Sequence, residues 1–423
     1  MRLVIVNPQV HHYARILRNF LLHNKDYYKY PFVPDCYMKN KPREVAILID
    51  GTRSSFNELG IHFRFFSIFF SYIEFIFWCL LNKFNPFSFK VYFDVKKLNP
   101  KQDVIFTFSF TTLDSFVGNN NEKPLTKFEG LVFIHLTHYL RNTQQISENV
   151  EKIKNKTLVA ENNLVNNSYF QHFFPKEKEV YHLPFCFQDR FVPTKPFNER
   201  INKCLAIGTC SSLGAEYEKF FGKNQSFHPM RKTILDHSQE LIPYIDSLIS
   251  DYDKTRMLNR VENDDSLSKR WFKKHLPYFL LTKVIPNHLN QYYNFNIVEK
   301  YNDYKMFISS EEIFGLPSIN AFEGMACGSA LIAIEDPMYT NLGLKPGKHY
   351  ISYRKNDLGD LVKVIKYYQN NPKELELIAS GGQDFVREHF SKKAVADKFW
   401  EDMKFMSNKF KNGNHLIRCS FNT

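Results

Sequence analysis

One stretch of the sequence, residues 305–336, constrains the fold more than any other because it contains a strand, a loop, a helix and a second strand in succession. Apolar runs at 305–309 and 330–334 predict buried strands, and Gly328 is a typical helix stop before the second of them. Apolar residues between the runs recur at helical spacing: Ile319, Phe322, Met325 and Ala326. Neighbouring strands joined through a helix run parallel, so this stretch predicts a parallel sheet covered by helices.

The same alternation continues along most of the 423 residues, which is enough chain for two domains. Further strands are predicted at 3–6, 45–49, 91–93, 104–108, 131–136, 158–160, 180–183 and 203–207. Helical stretches are predicted at 213–221, 229–248, 357–370, 372–389 and 394–408. This pattern predicts the α/β class with two Rossmann-like, doubly wound domains. The expected boundaries are a first domain at 1–185, a linker at 186–202, a second domain at 203–393 and a final helix and tail at 394–423.

Charge and cysteine usage narrow the possible partners and the compartment. The formal net charge of +12 favours anionic partners such as nucleotides or an anionic membrane surface. The basic residues are scattered and form no nucleic-acid-binding motif, so nucleic acid is not an expected partner. Seven cysteines without CxxC spacing indicate a reducing compartment and argue against a zinc site. The N-terminal residues are expected to form a first strand rather than a signal peptide, and a cytoplasmic location is expected.

Residues 65–81 form a strongly apolar segment that has three interpretations. The favoured one is a crossover helix between two strands of the first sheet, because the segment lies where such a helix belongs. The second is a helix lying in the interface of a membrane. The third is a transmembrane span, which Glu74 near the middle of the segment disfavours.

The loop and helix start after residue 309 contain the first candidate ligand site. Glu323 lies in an otherwise apolar helical pattern, where it could accept the hydroxyls of a ribose or be stabilised by the helix dipole. The residues before this helix have two interpretations. Their free backbone N–H groups could bind a phosphate, or the residues could only start the helix, with Pro317 in its first turn. They are Gly315, Leu316, Pro317 and Ser318. Glu311 and Glu312 could contact a sugar or be solvated loop acids.

Another candidate site follows the first strand of the second domain. Gly208 and Thr209 are small residues that let backbone N–H groups approach a diphosphate. Arg231 could hold a phosphate or be an ordinary surface arginine.

In the first domain, polar residues after predicted strands are candidates for a general base. They are Asp50, His135 and His138, and the alternative for the two histidines is a core or capping role. Residues 251–253 match a DxD metal motif, but the polar helical stretch expected there favours solvated charge, and no metal site is predicted.

Several motifs in the chain resemble those of a known family. Glu-Ile-Phe-Gly at 312–315 and Glu-Gly-Met-Ala-Cys-Gly at 323–328 are similar to the nucleotide-sugar site of GT-B glycosyltransferases of the "group 1" superfamily. The segment at 182–191 resembles the end of the first domain in that family, and the segment at 205–209 resembles the opening of the second. Ten residues separate Glu312 from Glu323, more than in most retaining members, so retention and inversion both stay open.

The resemblance implies a GT-B fold, in which two Rossmann-like domains face each other across a cleft. It implies a nucleoside-diphosphate-sugar donor as co-substrate, with no other cofactor and no obligatory metal. Glu323 would bind the donor ribose, Glu312 would face the donor sugar, and residues 315–318 would contact the diphosphate.

The predicted function is therefore that of a glycosyltransferase. It would move a sugar from the donor to a saccharide or lipid-linked acceptor in bacterial surface polysaccharide or glycoconjugate synthesis, with a possible position at the inner face of the membrane. One alternative is a nucleotide-sugar 2-epimerase on the same fold. The other is a non-enzymatic, membrane-peripheral assembly protein that uses the apolar segment at 65–81.

Overall fold

A computed structural model describes residues 1–8, 33–49, 64–81, 83–108, 124–136, 143–161, 164–165, 167–223, 225–251, 295–315 and 317–413. The chain divides into two compact units. Unit 1 comprises Met1–Leu183 together with Ala396–Ser420, and unit 2 comprises Pro184–Val395.

Unit 1 is built on a seven-stranded parallel sheet with the order β3-β2-β1-β4-β5-β6-β7. Its strands are β1 (Arg2–Val6), β2 (Val45–Leu48), β3 (Lys90–Tyr92), β4 (Asp103–Phe108), β5 (Val132–His135), β6 (Lys156–Ala160) and β7 (Tyr181–His182). The central strands are fully buried apolar runs, as expected for a parallel sheet covered on both faces. Successive strands are added on one side of β1 up to β3 and on its other side from β4 onward, as in a doubly wound sheet.

The helices of this part of the chain are α1 (Val33–Asn40), α2 (Arg64–Leu81), α3 (Thr143–Glu151) and α4 (Ser168–Phe173). Because β2 and β3 are parallel neighbours, α2 is the crossover helix between them, and this interpretation of residues 65–81 is confirmed. Within the described residues, no helix combines the length and the apolar character that crossing a membrane requires.

Unit 2 contains a five-stranded parallel sheet with the order β12-β11-β10-β8-β9. Its strands are β8 (Ile201–Cys210), β9 (Ile245–Asp251), β10 (Tyr304–Ile308), β11 (Ala330–Ile334) and β12 (Ile351–Tyr353). Its helices are α5 (Glu218–Phe221), α6 (Pro229–Asp236), α7 (Ile297–Asp303), α8 (Ile319–Ala326), α9 (Pro337–Thr340), α10 (Leu358–Asn370) and α11 (Pro372–His389). Among the described strands, the order turns back between β8 and β10. The predicted α/β class with two parallel sheets is confirmed.

The last helix, α12 (Lys392–Lys411), begins in unit 2, and its residues from Ala396 onward belong to unit 1. Within unit 1, Phe399 packs its ring against Phe106, Phe133 and Tyr181. Short 3-10 helices occur at Pro42–Glu44, Pro86–Ser88, Val95–Lys97, Pro124–Lys127, Phe197–Glu199 and Ala215–Tyr217.

Three local predictions in unit 2 are wrong. The helix expected at 229–248 ends at Asp236, and the chain enters β9 at Ile245. A single helix over this range is excluded because Pro243 would lie in its interior. Asp251 therefore ends a strand rather than lying in a polar helix. Pro317 is not in the first turn of α8, since the Ser318 hydroxyl accepts a hydrogen bond from Asn320 N and makes Ser318 the N-cap.

Candidate donor site

The loops that follow β8 and β10 meet at the carboxyl edge of the unit 2 sheet. Ile313 N donates to Phe227 O at 2.9 Å, which joins the loop after β10 to the segment before α6. The Phe314 ring packs against Tyr217, Phe221 and Phe227 and fixes the same junction. In open α/β sheets, ligands bind at this edge where the strand order turns back. The candidate residues of unit 2 lie at that position.

Gly208 and Arg231 are packed directly on each other. Gly208 has a φ of +146°, and a Cβ at this position would lie 2.5 Å from Arg231 Cζ. The backbone conformation favours glycine, and a side chain here would have to displace the Arg231 guanidinium. The Arg231 Nη1 group donates a long hydrogen bond of 3.4 Å to Thr209 O.

Arg231 is buried, so its interpretation as a surface arginine is wrong. The glycine at 208 makes the room in which its guanidinium lies. Its Nε has no hydrogen-bond partner within the described part of the chain. A buried cation with an unused donor attracts an anion, because leaving such a group unpaired is costly.

His228, the residue before α6, lies beside this arginine. Its Nδ1 is 3.4 Å from Glu311 O. Burial, reinforced by the charge of Arg231, lowers the pKa of His228 well below its ordinary value, so the ring is neutral.

The loop from Glu311 to Ser318 positions the start of α8. Gly315 has a φ of +74° and donates its N–H to Glu312 O, and no atom within 4 Å would touch a Cβ there. The loop is therefore open on the Gly315 side. Glu312 is partly exposed, Pro317 is buried, and Leu316 lies outside the described residues.

Glu323 is buried on α8, and burial raises the pKa of its carboxyl to about 8, with the nearby charge of Arg190 opposing the shift. The side chain makes no hydrogen bond or ion pair with any residue that the structure describes. It is a carboxyl group that is largely protonated at neutral pH and has its hydrogen-bonding capacity unused.

The adjacent residue fixes the position of this helix on the sheet. A Cβ at Gly324 would lie 2.4 Å from the Phe307 ring, so α8 approaches β10 more closely than another residue would allow. Arg200 and Arg387 donate to Cys327 O and Ala326 O at the end of the helix, at 2.9 and 3.0 Å. Both cations lie at the negative end of the helix dipole and stabilise it.

The two neighbouring glutamates after β10 have different environments. Glu311 is buried, and its Oε1 accepts hydrogen bonds from Ile334 N at 3.2 Å and Tyr339 OH at 3.3 Å. Burial raises the pKa of Glu311 to about 7, although these hydrogen bonds favour the charged form. Glu311 is thus not a solvated loop acid, and it ties the loop to β11 and α9.

Unit 1 has a separate polar cluster at the carboxyl edge of its own sheet. His135 ends β5, and its Nε2 lies 3.7 Å from Glu161 Oε1, while His182 Nε2 is 2.8 Å from Glu161 O. Burial lowers the pKa of His135, and the Glu161 charge partly offsets this shift. Asp50 and His138 lie outside the described residues.

Sequence reasoning missed Glu161 and His182 as members of this cluster. The signal that could have found them is position, since Glu161 follows β6 directly and His182 ends β7. In the described ranges, no group of three or more His, Cys, Asp or Glu side chains is arranged to hold a metal ion.

A family model described as glycosyl transferase-like matches residues 266–401. The match includes α8 and the motif around Glu323, and it confirms the resemblance to glycosyltransferases. No match is found among curated proteins.

Among solved structures, HepE from Anabaena in complex with UDP is 11% identical over 96% of this chain and 100% of its own, with a TM-score of 0.49. A glycosyltransferase from Rickettsia africae is 12% identical over 96% of this chain and 98% of its own, with a TM-score of 0.49. Sucrose-phosphate synthase from Thermosynechococcus elongatus is 11% identical over 96% of this chain and 99% of its own, with a TM-score of 0.47.

Proposed function

We propose that this protein is a glycosyltransferase that moves a sugar from a nucleoside-diphosphate-sugar to the hydroxyl of an acceptor. The observation that carries the proposal is the buried Arg231 guanidinium, whose Nε is unpartnered in the described structure and which lies over Gly208 at the end of β8. The match of residues 266–401 to the glycosyl transferase-like family supports the same conclusion.

In the proposed reaction, the acceptor oxygen bonds to the anomeric carbon as the bond from that carbon to the donor phosphate breaks. Arg231 and the backbone N–H groups at the start of α8 would stabilise the negative charge that develops on the leaving diphosphate. Glu323 would hydrogen-bond the ribose, and Glu312 would face the donor sugar. His135, neutral because burial lowers its pKa, would accept the proton of the acceptor hydroxyl.

Calorimetry with UDP, GDP, ADP and CMP, and with the matching nucleosides, tests the donor site. Arg231→Gln should weaken binding of the preferred nucleotide by roughly ten- to a hundredfold, because a hydrogen bond to a charged group is lost. The expected loss on nucleoside binding is small. Arg354→Gln, which removes an exposed arginine of the same unit, should bind like the wild type. Equal nucleotide affinity in the Arg231 and Arg354 variants would show that Arg231 does not hold the diphosphate.

We propose a saccharide or lipid-linked acceptor, surface polysaccharide or glycoconjugate synthesis as the setting, and a cytoplasmic enzyme at the inner face of the membrane. We further propose that transfer requires no metal and no cofactor besides the donor. A product-mass assay with acceptor, with and without EDTA, tests the acceptor and the metal independence. Isomerised sugar nucleotide formed without acceptor would identify a 2-epimerase instead, and activity lost in EDTA and restored by a divalent cation would contradict metal independence.

A further inference from the structure

Helix α2 buries one side and exposes an equally apolar one. Its exposed side consists of Phe65, Phe66, Phe69, Phe77 and Leu80, which we call the aromatic face. At about 100° per residue, these five positions fall within an arc of about 120°. The opposite arc carries Ser71, Phe75, Trp78 and Cys79, which are buried against unit 1. Packing within unit 1 therefore explains the apolar residues on the buried side of this helix but not those on its exposed side.

The exposed apolar surface continues into the segment after the helix. Phe84 N donates to Cys79 O, and the Phe93 ring lies 5.5 Å from that of Tyr72, so residues 83–93 pack along α2. Phe87 is 80% exposed and Phe93 is 40% exposed. Of the twelve exposed large apolar side chains in the described ranges, seven lie within residues 65–93. Monomeric proteins rarely expose such a concentration unless the surface binds a membrane or a partner.

Exposed lysines follow the aromatic face along the chain, in the same segment as Phe87 and Phe93. They are Lys83, Lys90, Lys96 and Lys97, and the only acidic residue among positions 83–97 is Asp94, whose carboxylate accepts from Lys96 N. A surface segment that combines exposed aromatic side chains with lysines matches the interface of a bilayer that contains anionic lipids. Two copies of this chain joined through the same surface would bring these lysines together, which opposes self-association.

We propose that the aromatic face and the lysines of the following segment dock unit 1 on the surface of an anionic bilayer. The axis of α2 would lie along the interface, with the phenylalanines in the headgroup and upper acyl region and the lysines beside the lipid phosphates. The proposal does not depend on the enzymatic function, because none of these residues belongs to the candidate donor site.

Sedimentation of the full-length protein with lipid vesicles tests the proposal. We expect binding to vesicles of phosphatidylcholine with phosphatidylglycerol, little binding to phosphatidylcholine alone, and weakening by salt. The triple variant F65S/F69S/F77S should lose roughly tenfold or more in vesicle affinity. Leu377→Ser is the matched control, because Leu377 is 74% exposed on α11 and lies in unit 2. K83Q/K90Q should reduce the preference for phosphatidylglycerol.

A conservative reporter keeps the test valid if the triple variant folds poorly. Phe87→Trp retains an aromatic side chain, and its fluorescence should shift to the blue when anionic vesicles are added. No vesicle binding by the wild type, or equal binding by the triple variant and the Leu377→Ser control, would overturn the proposal. A dimer seen by light scattering that the triple variant abolishes, without vesicle binding by the wild type, would identify a second copy as the occupant instead.

Discussion

Glu323 combines deep burial with a carboxyl group that has no hydrogen-bond partner among the described residues. Burial raises its pKa to about 8 from the ordinary 4.5. The folded protein therefore binds this proton more tightly than the unfolded chain does. The stability that the protonated Glu323 carboxyl contributes is consequently lost as the pH rises from about 4.5 to about 8.

We predict that Glu323→Gln makes the protein less sensitive to alkaline pH. Glutamine has a similar shape and no charge to desolvate, so the variant should be more stable than the wild type near pH 8, by an amount on the order of a few kcal/mol. Thermal unfolding followed from about pH 5 to about pH 9 measures this difference. Glu311→Gln should reduce the dependence of stability on pH less than Glu323→Gln does, since the pKa of Glu311 rises only to about 7. A wild-type stability that does not fall over this range would contradict the prediction.

Glu161 is expected to act as a positioning residue for His135. The carboxylate lies 3.7 Å from His135 Nε2, and it raises the pKa of that ring against the effect of burial. His182, whose pKa burial lowers, lies with its Nε2 at 2.8 Å from the Glu161 backbone oxygen. Removing the carboxylate should therefore lower the pKa of His135 further.

We predict that Glu161→Gln shifts the acidic limb of the pH–rate profile to lower pH and reduces kcat modestly. His135→Asn should lower kcat by roughly a hundredfold or more, because the proton acceptor is lost. Glu151→Gln is the control, since Glu151 forms an exposed ion pair with Lys176. An unchanged acidic limb in the Glu161 variant, with activity lost in the His135 variant, would assign Glu161 a purely structural role.

At this scale the sequence predicts residue type and approximate position, but it does not predict burial. It places Glu311 and Glu312 together after a strand, yet the fold turns the first inward to Ile334 N and Tyr339 OH and leaves the second partly exposed. The same limit applies to Arg231, whose burial depends on the absence of a side chain at Gly208, more than twenty residues earlier. Such outcomes depend on contacts between distant segments, which local patterns do not contain.

Among secondary-structure elements, α8 shows how packing positions the candidate site. The helix is held at its end by Arg200 and Arg387 and lies close to β10 because Gly324 has no side chain. The end and the middle of α8 are therefore fixed on the sheet, next to the loop that carries Glu312 and Gly315.

We predict that Gly324→Ala destabilises the protein by roughly 1–3 kcal/mol, because the added methyl group would overlap the Phe307 ring. It should also weaken nucleotide binding by displacing the start of α8. Gly359→Ala, on the first turn of α10, is the control, because the nearest atom to its Cβ is Asp357 Oδ1 at 3.4 Å. That substitution should be neutral or slightly stabilising. Equal stability of the two variants in urea unfolding would show that α8 can shift without cost.

Element types were largely predictable, because buried parallel strands are continuous apolar runs and helices repeat every 3.6 residues. The error at 229–248 arises because the apolar spacing through α6 continues into Ile245 and Ile249, which also fit a strand. Pro243 was the signal that separates the two elements.

For the whole molecule, the candidate donor residues that the structure describes all lie in unit 2, between Gly208 and Glu323. The cluster of His135, Glu161 and His182 lies in unit 1, as does the aromatic face. The proposed donor binding, proton transfer and membrane docking thus involve different residues, and each can be perturbed separately.

We therefore predict that a saturating nucleotide protects backbone amides against hydrogen exchange mainly in unit 2. A ligand present at about 100 times its Kd stabilises the binding-competent state by about 2.7 kcal/mol, so local opening at the site should slow by roughly a hundredfold. Peptides covering residues 205–231 and 305–326 should show this slowing, while peptides covering 156–182 should change little. Arg231→Gln should lose the protection at the same nucleotide concentration, and Arg354→Gln should keep it. Protection confined to residues 156–182 would assign nucleotide binding to unit 1 and contradict the proposed donor site.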